Sequence, residues 1–398
     1  MTGSFVEIGH YNEPKHGQHV EGDIFLSRKS PADGRIITVL SDGLGSGIKA
    51  NVLATLTATM AAGCSASDIP IARTADLIMR SLPVCSERHI SYATFTLIDV
   101  SPRGRISIVE YDNPPYALIR GGCLIEPIKS DISVKRGKHS GAPREYAILH
   151  WSQFDAEPGD RLVVFSDGVT QSGMGMRPNP LGWGNPAVES FVIGAIEEEP
   201  KISARELARR VVHAALAHDT GEAKDDITAG VVYFRDARRL LVLTGPPLNP
   251  ALDKEMARIF REFQGRKMVA GGTTASIIAR ETGARVKVDL SHLDPKVPPS
   301  STMEGADLVT EGIITLGETA ELLANRERFD DLAPNAAAKA IELMLDSDII
   351  EFVVGTKINE AHQDPNMPVE LEIRRNVVKR LASILEEKYL KEVSVKFI

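Results

Sequence analysis

IITVLSDGLGSGIKA, residues 36–50, decides how the first half of the chain is read. An apolar, partly β-branched run (Ile36 to Leu40) stops at Ser41-Asp42-Gly43, and a glycine-punctuated turn then feeds helix-forming residues from Ile48 onward. That order predicts a strand, a tight loop and a helix over Ile48–Ala62, with Asp42 held at the end of the strand. RLVVFSDGVTQSG at 161–173 repeats the front half, with Asp167 after an apolar strand and before a glycine. AKDDITAGVVYF at 223–234 sets Asp225 and Asp226 just ahead of a strand, and HVEGDIFL at 19–26 sets Asp23 at the start of another. Taken singly, an Asp-Gly is an ordinary turn. Gathered carboxylates are another matter, because like charges brought together without a cation repel and drive one another to protonate. Magnesium and manganese relieve that repulsion, since they take oxygen ligands and keep several waters. Two such ions sharing a carboxylate lower the pKa of a bridging water and aim it at a phosphorus atom. The glycines at 43, 45 and 47 ahead of a helix could instead cradle a phosphate. The stretch has neither the GK[ST] ending of a P-loop nor GxGxxG spacing, so that reading stays minor.

Around these motifs, residues 1–236 read as short strands separated by Gly/Pro/Asp turns. Strands are expected at 23–27, 35–40, 91–99, 105–111, 117–120, 147–151, 161–166 and 227–234, with a second helix at 204–217. Many strands and a few long helices predict a sheet sandwich with helices packed outside it. Hydrophobic content of 43% over 398 residues suffices for two cores, and a net charge of −8 argues against a nucleic-acid or membrane-surface binder. Cys64, Cys85 and Cys123 form no CxxC pair, so they read as small buried hydrophobes in a reducing compartment. With no signal-peptide pattern and no bilayer-length apolar run, the expected location is the cytoplasm.

SDGLGSGIKA (41–50), FSDGVTQSG (165–173) and KDDITAGVV (224–232) resemble the three hallmark motifs of the metal-dependent (type 2C, PPM) protein serine/threonine phosphatases, and Gly22-Asp23 resembles that family's early metal-binding strand. The DGxGxG loop running straight into a helix, and the late DDIT, resemble the bacterial sporulation stage II protein E branch. The resemblance covers about residues 5–235. It implies an α-β-β-α sandwich, two Mn²⁺ or Mg²⁺ ions, and hydrolysis of phosphoserine or phosphothreonine on a protein substrate without a covalent phosphoenzyme. By the same resemblance Asp42 bridges the ions and the Gly43 carbonyl helps hold one. Asp23 serves that ion, Asp167 and Asp225 serve the other, and Asp226 supports them. Many members outside this branch carry an early Arg that grips the phosphate; none is found here before Arg28, which leaves the phosphate to the metals. Glu21 is expected on the face of Asp23 as an outer neighbour. His10, His16 and His19 lie in a flexible N-terminal stretch and are ordinarily inert there, although one could act as a general acid. Met174, Met176 and Trp183, in the Gly/Pro-rich loop at 173–186, either form a flap over the site or pack on their own domain.

Beyond a polar hinge at 235–240 the rhythm changes to strand–loop–helix alternation, which predicts a separate α/β domain over 237–398. Its strand ends carry Thr244-Gly245, Gly271-Gly272-Thr273-Thr274, Thr310-Glu311-Gly312 and Gly355-Thr356. Such turns either bind a small anion and regulate the phosphatase, or are plain strand-to-helix connections. A rival reading makes the whole protein a catalytically weak, ligand-gated interaction module. A third, a nucleotide-dependent transferase, needs Lys267 or Arg280 to reach Gly271–Thr274.

Overall fold

The computed structural model describes residues 4–30, 32–67, 69, 73–74, 77–78, 93–135, 146–177, 179–290, 294–326, 328–329, 331–357 and 370–398. The chain divides into two compact units, Met1–Asp236 and Ala237–Ile398. No described helix is long and apolar enough to cross a membrane.

The first unit opens with β1 (Ser4–Glu13), β2 (Asp23–Lys29), β3 (Ile36–Gly43) and helix α1 (Ile48–Ala66). Next come β4 (Ala93–Val100), β5 (Arg105–Tyr111), β6 (Ala117–Arg120), β7 (Cys123–Ile125), β8 (Lys129–Lys135), β9 (Tyr146–Asp155) and β10 (Arg161–Phe165). The short helix α2 (Asp167–Thr170), α3 (Asn185–Glu198), α4 (Ala204–His218) and β11 (Ile227–Asp236) complete it. Two antiparallel sheets result, ordered β1-β11-β10-β6-β7 and β2-β3-β4-β5-β9-β8.

Strand alternation sorts the side chains into three apolar layers. Leu40, Ile98, Ile108, Leu162, Val164 and Val232 meet between the sheets. Ile37, Val39 and Leu97, on the opposite faces of β3 and β4, meet Ala58, Ala61 and Ala62 of α1. On the other outer face Val163, Phe165 and Val231 meet Val188 and Val192 of α3 and Leu207 and Val211 of α4. This is an α-β-β-α sandwich. The buried side of α1 is mostly alanine, which lets that helix lie close to its sheet.

Several expectations need correction. Residues 4–13 are no flexible leader: β1 pairs with β11 from Ser4↔Asp236 to Glu13↔Ile227. The ring of His10 stacks on Phe25 at 4.8 Å, which gives it a packing role, while His16 and His19 are exposed. Glu21 lies ahead of β2, so the alternation argument does not reach it; Asn12 Nδ2 donates to its carboxylate. Trp183 packs on the core of its own unit, edge-on to Phe191 and His218, while Met174 is exposed. Cys123 is exposed and Cys64 half-buried, against the expectation of burial; Cys85 lies outside the described residues. The hinge at 235–240 shrinks to Ala237-Arg238 between two strands.

The second unit runs β12 (Arg239–Thr244), α5 (Asp253–Glu262), β13 (Arg266–Ala270), α6 (Gly272–Thr282), β14 (Val286–Val288), β15 (Ser301–Met303), β16 (Ala306–Thr310), α7 (Ile313–Asn325), α8 (Ala336–Leu345), β17 (Ile349–Val354), α9 (Glu370–Glu387) and β18 (Glu392–Phe397). Its sheet is ordered β14-β15-β16-β13-β12-β17-β18; the five strands from β16 to β18 are parallel and the β14–β15–β16 edge is antiparallel. Leu241, Leu243 and Val269 turn to one helix-covered face, and Leu240, Val242 and Met268 to the other. Burial on both faces is what parallel strands require.

Candidate metal centre

The four acidic motifs converge at one end of the sandwich. Asp23 and Asp42 are direct register partners on β2 and β3. Asp167 opens α2 straight after β10, and Asp225 and Asp226 immediately precede β11, the antiparallel neighbour of β10. The Ser166 N–H donates to the Thr228 carbonyl (3.0 Å) and the Thr228 N–H to Ser166 Oγ (3.0 Å), clamping the two acidic turns together.

Glycines set the closeness. A Cβ on Gly43 would stand 2.2 Å from the Ala50 carbonyl oxygen, one on Gly168 2.1 Å from that of Asp226, and one on Gly22 2.8 Å from Asp226 Oδ2. Each motif glycine therefore leaves room for another segment's backbone or carboxylate. At Gly43 and Gly168 the reason is close approach, not turning, whereas Gly45 and Gly47 do turn, at φ 105° and 71°.

Electrostatics follow from that packing. Burial, only partly offset by the hydroxyls of Ser166 and Thr228, pushes the Asp23 carboxyl up to about 8; Asp226 and Asp167 add to the rise. Asp42 is raised well above the carboxylate range, first by burial and then by the charges of Asp23, Asp167 and Asp225. Burial and then Asp225 raise Asp167, although Gln171 Nε2 donates to its Oδ2 at 2.7 Å. Burial also raises Asp226, against the Lys15 N–H that donates to Oδ1 at 3.1 Å. The Lys15 ammonium lies 3.7 Å from Asp225.

One atom stands out: Oδ2 of Asp23, 3% exposed as a residue, is buried with no hydrogen-bond partner. Orphaned carboxylate oxygen, mutual repulsion and an all-oxygen donor set suit a hard divalent cation. Among the described residues no three of these side chains already close on one point as ligands of a single ion. The carboxylates are grouped in pairs instead: Asp23 with Asp42 in register, Asp42 bonded to Asp167, and Asp167 with Asp225 through charge. Magnesium takes one or two carboxylates and fills its remaining positions with water, so paired carboxylates are an adequate donor set.

Sequence reasoning named every carboxylate of this group and missed the groups that hold them: Ser166, Thr228, Gln171 and Lys15. Of these only Ser166 carried a signal, being the counterpart of Ser41 before the same Asp-Gly. In the second unit Gly271, Gly272, Thr273 and Thr274 do fall together, at the turn from β13 into α6. Neither proposed phosphate grip reaches them. Lys267 sits at the opposite end of β13 with its ammonium over the Phe260 ring, and Arg280, in the last turn of α6, bonds Asp253 and Glu281. The transferase reading loses its cation.

The sequence profile described as Stage II sporulation protein E (SpoIIE) matches residues 32–235. No curated protein matches the chain. Among solved structures, the chain is similar to the phosphatase domain of the cell fate determinant SpoIIE from Bacillus subtilis, at 18% identity and TM-score 0.43, covering 59% of this chain and 94% of that one. It is similar to the serine/threonine phosphatase of S. agalactiae at 15% identity and TM-score 0.40, covering 57% and 99%. It is also similar to the PPM Ser-Thr phosphatase MsPP from Mycobacterium smegmatis, solved with cacodylate, at 16% identity and TM-score 0.39, covering 57% and 97%.

Proposed function

The chain belongs to the stage II sporulation protein E family of PP2C-type phosphatases, and from that premise we propose that residues 1–236 hydrolyse phosphoserine or phosphothreonine on a protein, in bacterial signalling, with two divalent ions, Mn²⁺ or Mg²⁺. The observation that carries the reading is the buried, unpartnered Asp23 oxygen set against Asp42 in a group of carboxylates driven toward protonation. A fold that had lost its chemistry would have no reason to keep such a group.

In this reading Asp42 would help hold both ions, Asp23 and the Gly43 carbonyl would serve one of them, and Asp167 and Asp225, supported by Asp226, would serve the other. Bound there, the ions would supply a water acidic enough to attack phosphorus at neutral pH. The chain's own residues position the group. The clamp of Ser166 and Thr228 fixes the spacing of the two acidic turns. Gln171 sets the Asp167 carboxylate, and the Lys15 N–H orients Asp226. The same proposal gives regulation of this activity to residues 237–398.

Hydrolysis of an aryl phosphate with Mn²⁺ tests both halves, using the intact chain, Asp42→Asn and a chain ending at Asp236. Mn²⁺-dependent turnover is expected in the intact and shortened chains and not in the variant. Absence of turnover from both would sink the enzyme reading. Identical turnover in the two would sink regulation by the second unit.

A further inference from the structure

At the carboxyl ends of β13 and β16, parallel neighbours, the chain leaves in opposite directions. After Ala270 it turns through Gly271 into α6, whose Ala275 and Ile278 pack with Leu243 and Val309 on one face of the sheet. After Thr310 it turns through Gly312 into α7, whose Leu316 and Ala320 pack with Met268 and Leu308 on the other. Neighbouring strands whose connections part in this way leave a crevice outside their carboxyl ends, where open α/β sheets take their ligands.

The two turns nearly touch: a Cβ on Gly312 would stand 3.2 Å from the Cα of Gly271. Neither helix has a side-chain cap, so the first N–H groups of both lack intrahelical partners. Two helix ends alone would not make a site. The same turns also carry three buried hydroxyls. Thr274, Thr310 and Thr315 are 0%, 3% and 0% exposed, and not one of their Oγ1 atoms has a hydrogen-bond partner. Thr274 and Thr315 lie in the first turns of α6 and α7, and Thr310 ends β16. The Thr274 hydroxyl faces the turn, 3.1 Å from where a Gly271 Cβ would be. A helical threonine ordinarily returns its hydroxyl to the carbonyl four residues back, as Thr319 does to Thr315 at 2.7 Å. A buried hydroxyl left unpaired is destabilising, and here Thr274 directly follows exposed Gly272 and Thr273, and Thr310 directly precedes exposed Glu311.

The donors are neutral and come from both sides, with the positive ends of two helix dipoles behind them. That arrangement suits a compact oxyanion with several acceptor oxygens, and a carboxylate has too few to meet both helix ends and the hydroxyls. Glu311 places a negative charge at the rim, which favours one phosphate over a polyphosphate chain. We propose that this crevice binds a phosphate group, either of inorganic phosphate or of a small phosphate ester. The inference rests on nothing in residues 1–236.

Titration calorimetry on the full chain in EDTA tests it, because phosphate then cannot report on cations held by the carboxylates. Inorganic phosphate and ribose 5-phosphate are the two probes. Saturable binding of one phosphate per chain is expected, weakened at least about tenfold in Thr274→Val and in Thr310→Val. Both variants should melt at or above the temperature of the parent, since each removes an unmet hydroxyl at nearly constant shape. Equal affinity for the two probes identifies the free ion as ligand, and tighter binding of the ester identifies a phosphorylated small molecule. Lack of saturable binding by either probe overturns the proposal, as does undiminished binding in both variants. Variants that fail to bind and also melt lower overturn it too, because the hydroxyls would then be structural.

Discussion

The acidic end of residues 1–236 and the threonine crevice of residues 237–398 are built from opposite materials. One gathers carboxylates that push each other's protons on; the other gathers threonine hydroxyls that have no hydrogen-bond partner, beside two uncapped helix starts. Both leave buried polar atoms unmet, Asp23 Oδ2 in the first and three Thr Oγ1 in the second. The difference teaches that an unmet group carries the sign of what would complete it. An ionised carboxylate oxygen only accepts and asks for a cation, whereas a hydroxyl can donate and, beside two helix N-termini, suits an anion.

The largest effect that could break this contrast is in the first region. Asp42→Asn keeps the shape and removes the charge paired with Asp23, and should cost on the order of a thousandfold in Mn²⁺-dependent aryl phosphate turnover. Retention of turnover near the parent rate would show that the carboxylates are not the reactive centre.

Next come the glycines, which separate the two regions by packing. Gly168→Ala would force a Cβ to 2.1 Å from the Asp226 carbonyl oxygen, whereas a Cβ on Gly272 meets nothing within 4 Å. The first substitution should destabilise its unit by about 2 kcal/mol or more, as overpacking does. Gly272→Ala should be neutral or slightly stabilising, because alanine is the better helix residue. Chemical denaturation checks the pair. Trp151 and Trp183 are the chain's two tryptophans and both lie in residues 1–236, so fluorescence follows Gly168→Ala, and far-ultraviolet circular dichroism, which sees the helices of both units, follows Gly272→Ala. The opposite ranking would refute the close-approach account.

That account also marks what the sequence made legible. Asp23, Asp42, Asp167, Asp225 and Asp226 could be named because each sits beside a recognisable strand-to-turn junction, while many strands and few long helices predicted a sheet sandwich whose α-β-β-α order came from the resemblance of the motifs. The supports could not be named. Lys15 meets Asp226 across 211 positions, and Ser166 meets Thr228 across 62, distances that no local pattern encodes. Strand β1 escaped because its sequence, SFVEIGHYNE, mixes polar residues into a strand that is paired along its whole length. Helix α3 begins in a Gly/Pro-rich stretch that reads as loop, and α8 follows a loop with only Asn335 as its cap. In the second unit alternation implied parallel strands, but which strand neighbours which was invisible, and so was the parting of α6 and α7 that opens the crevice.

A pH series gives the two regions slopes of opposite sign. Burial first holds the Asp23 carboxyl at about 8, against an ordinary value of 3.8. Between about pH 4 and 8 the folded, metal-free chain keeps a proton that the unfolded chain has released, so stability falls as pH rises through that window. Saturating Mn²⁺ should remove the fall by taking the proton's place, and Asp23→Asn should flatten it without metal. In the second unit Asp294 is held below its ordinary range, first by Asn335 and then by the N–H groups of Lys296 and Val297. Its contribution is present above pH 3.8 and is lost as pH falls through its lowered value. Tryptophan-detected denaturation midpoints in EDTA at pH 5 and pH 8 decide the first slope; a higher midpoint at pH 8 would contradict it.

Lys15 gives the smallest effect and the finest test of the contrast, since it is a positive charge already placed among the carboxylates. Two separate contacts join it to them: its main-chain N–H to Asp226 Oδ1, and its ammonium to Asp225 at 3.7 Å. Lys15→Met deletes only the second, because the backbone donor stays. Both ionic partners are more than a third exposed, so water already screens the pair and its loss should cost no more than about 1 kcal/mol. The expected result is a slightly lower denaturation midpoint in EDTA at pH 8, and no change under saturating Mn²⁺, where the ions carry the neutralising charge. A loss that persisted with metal would mean that Lys15 acts through packing, and that the acidic end has a partner other than the cations.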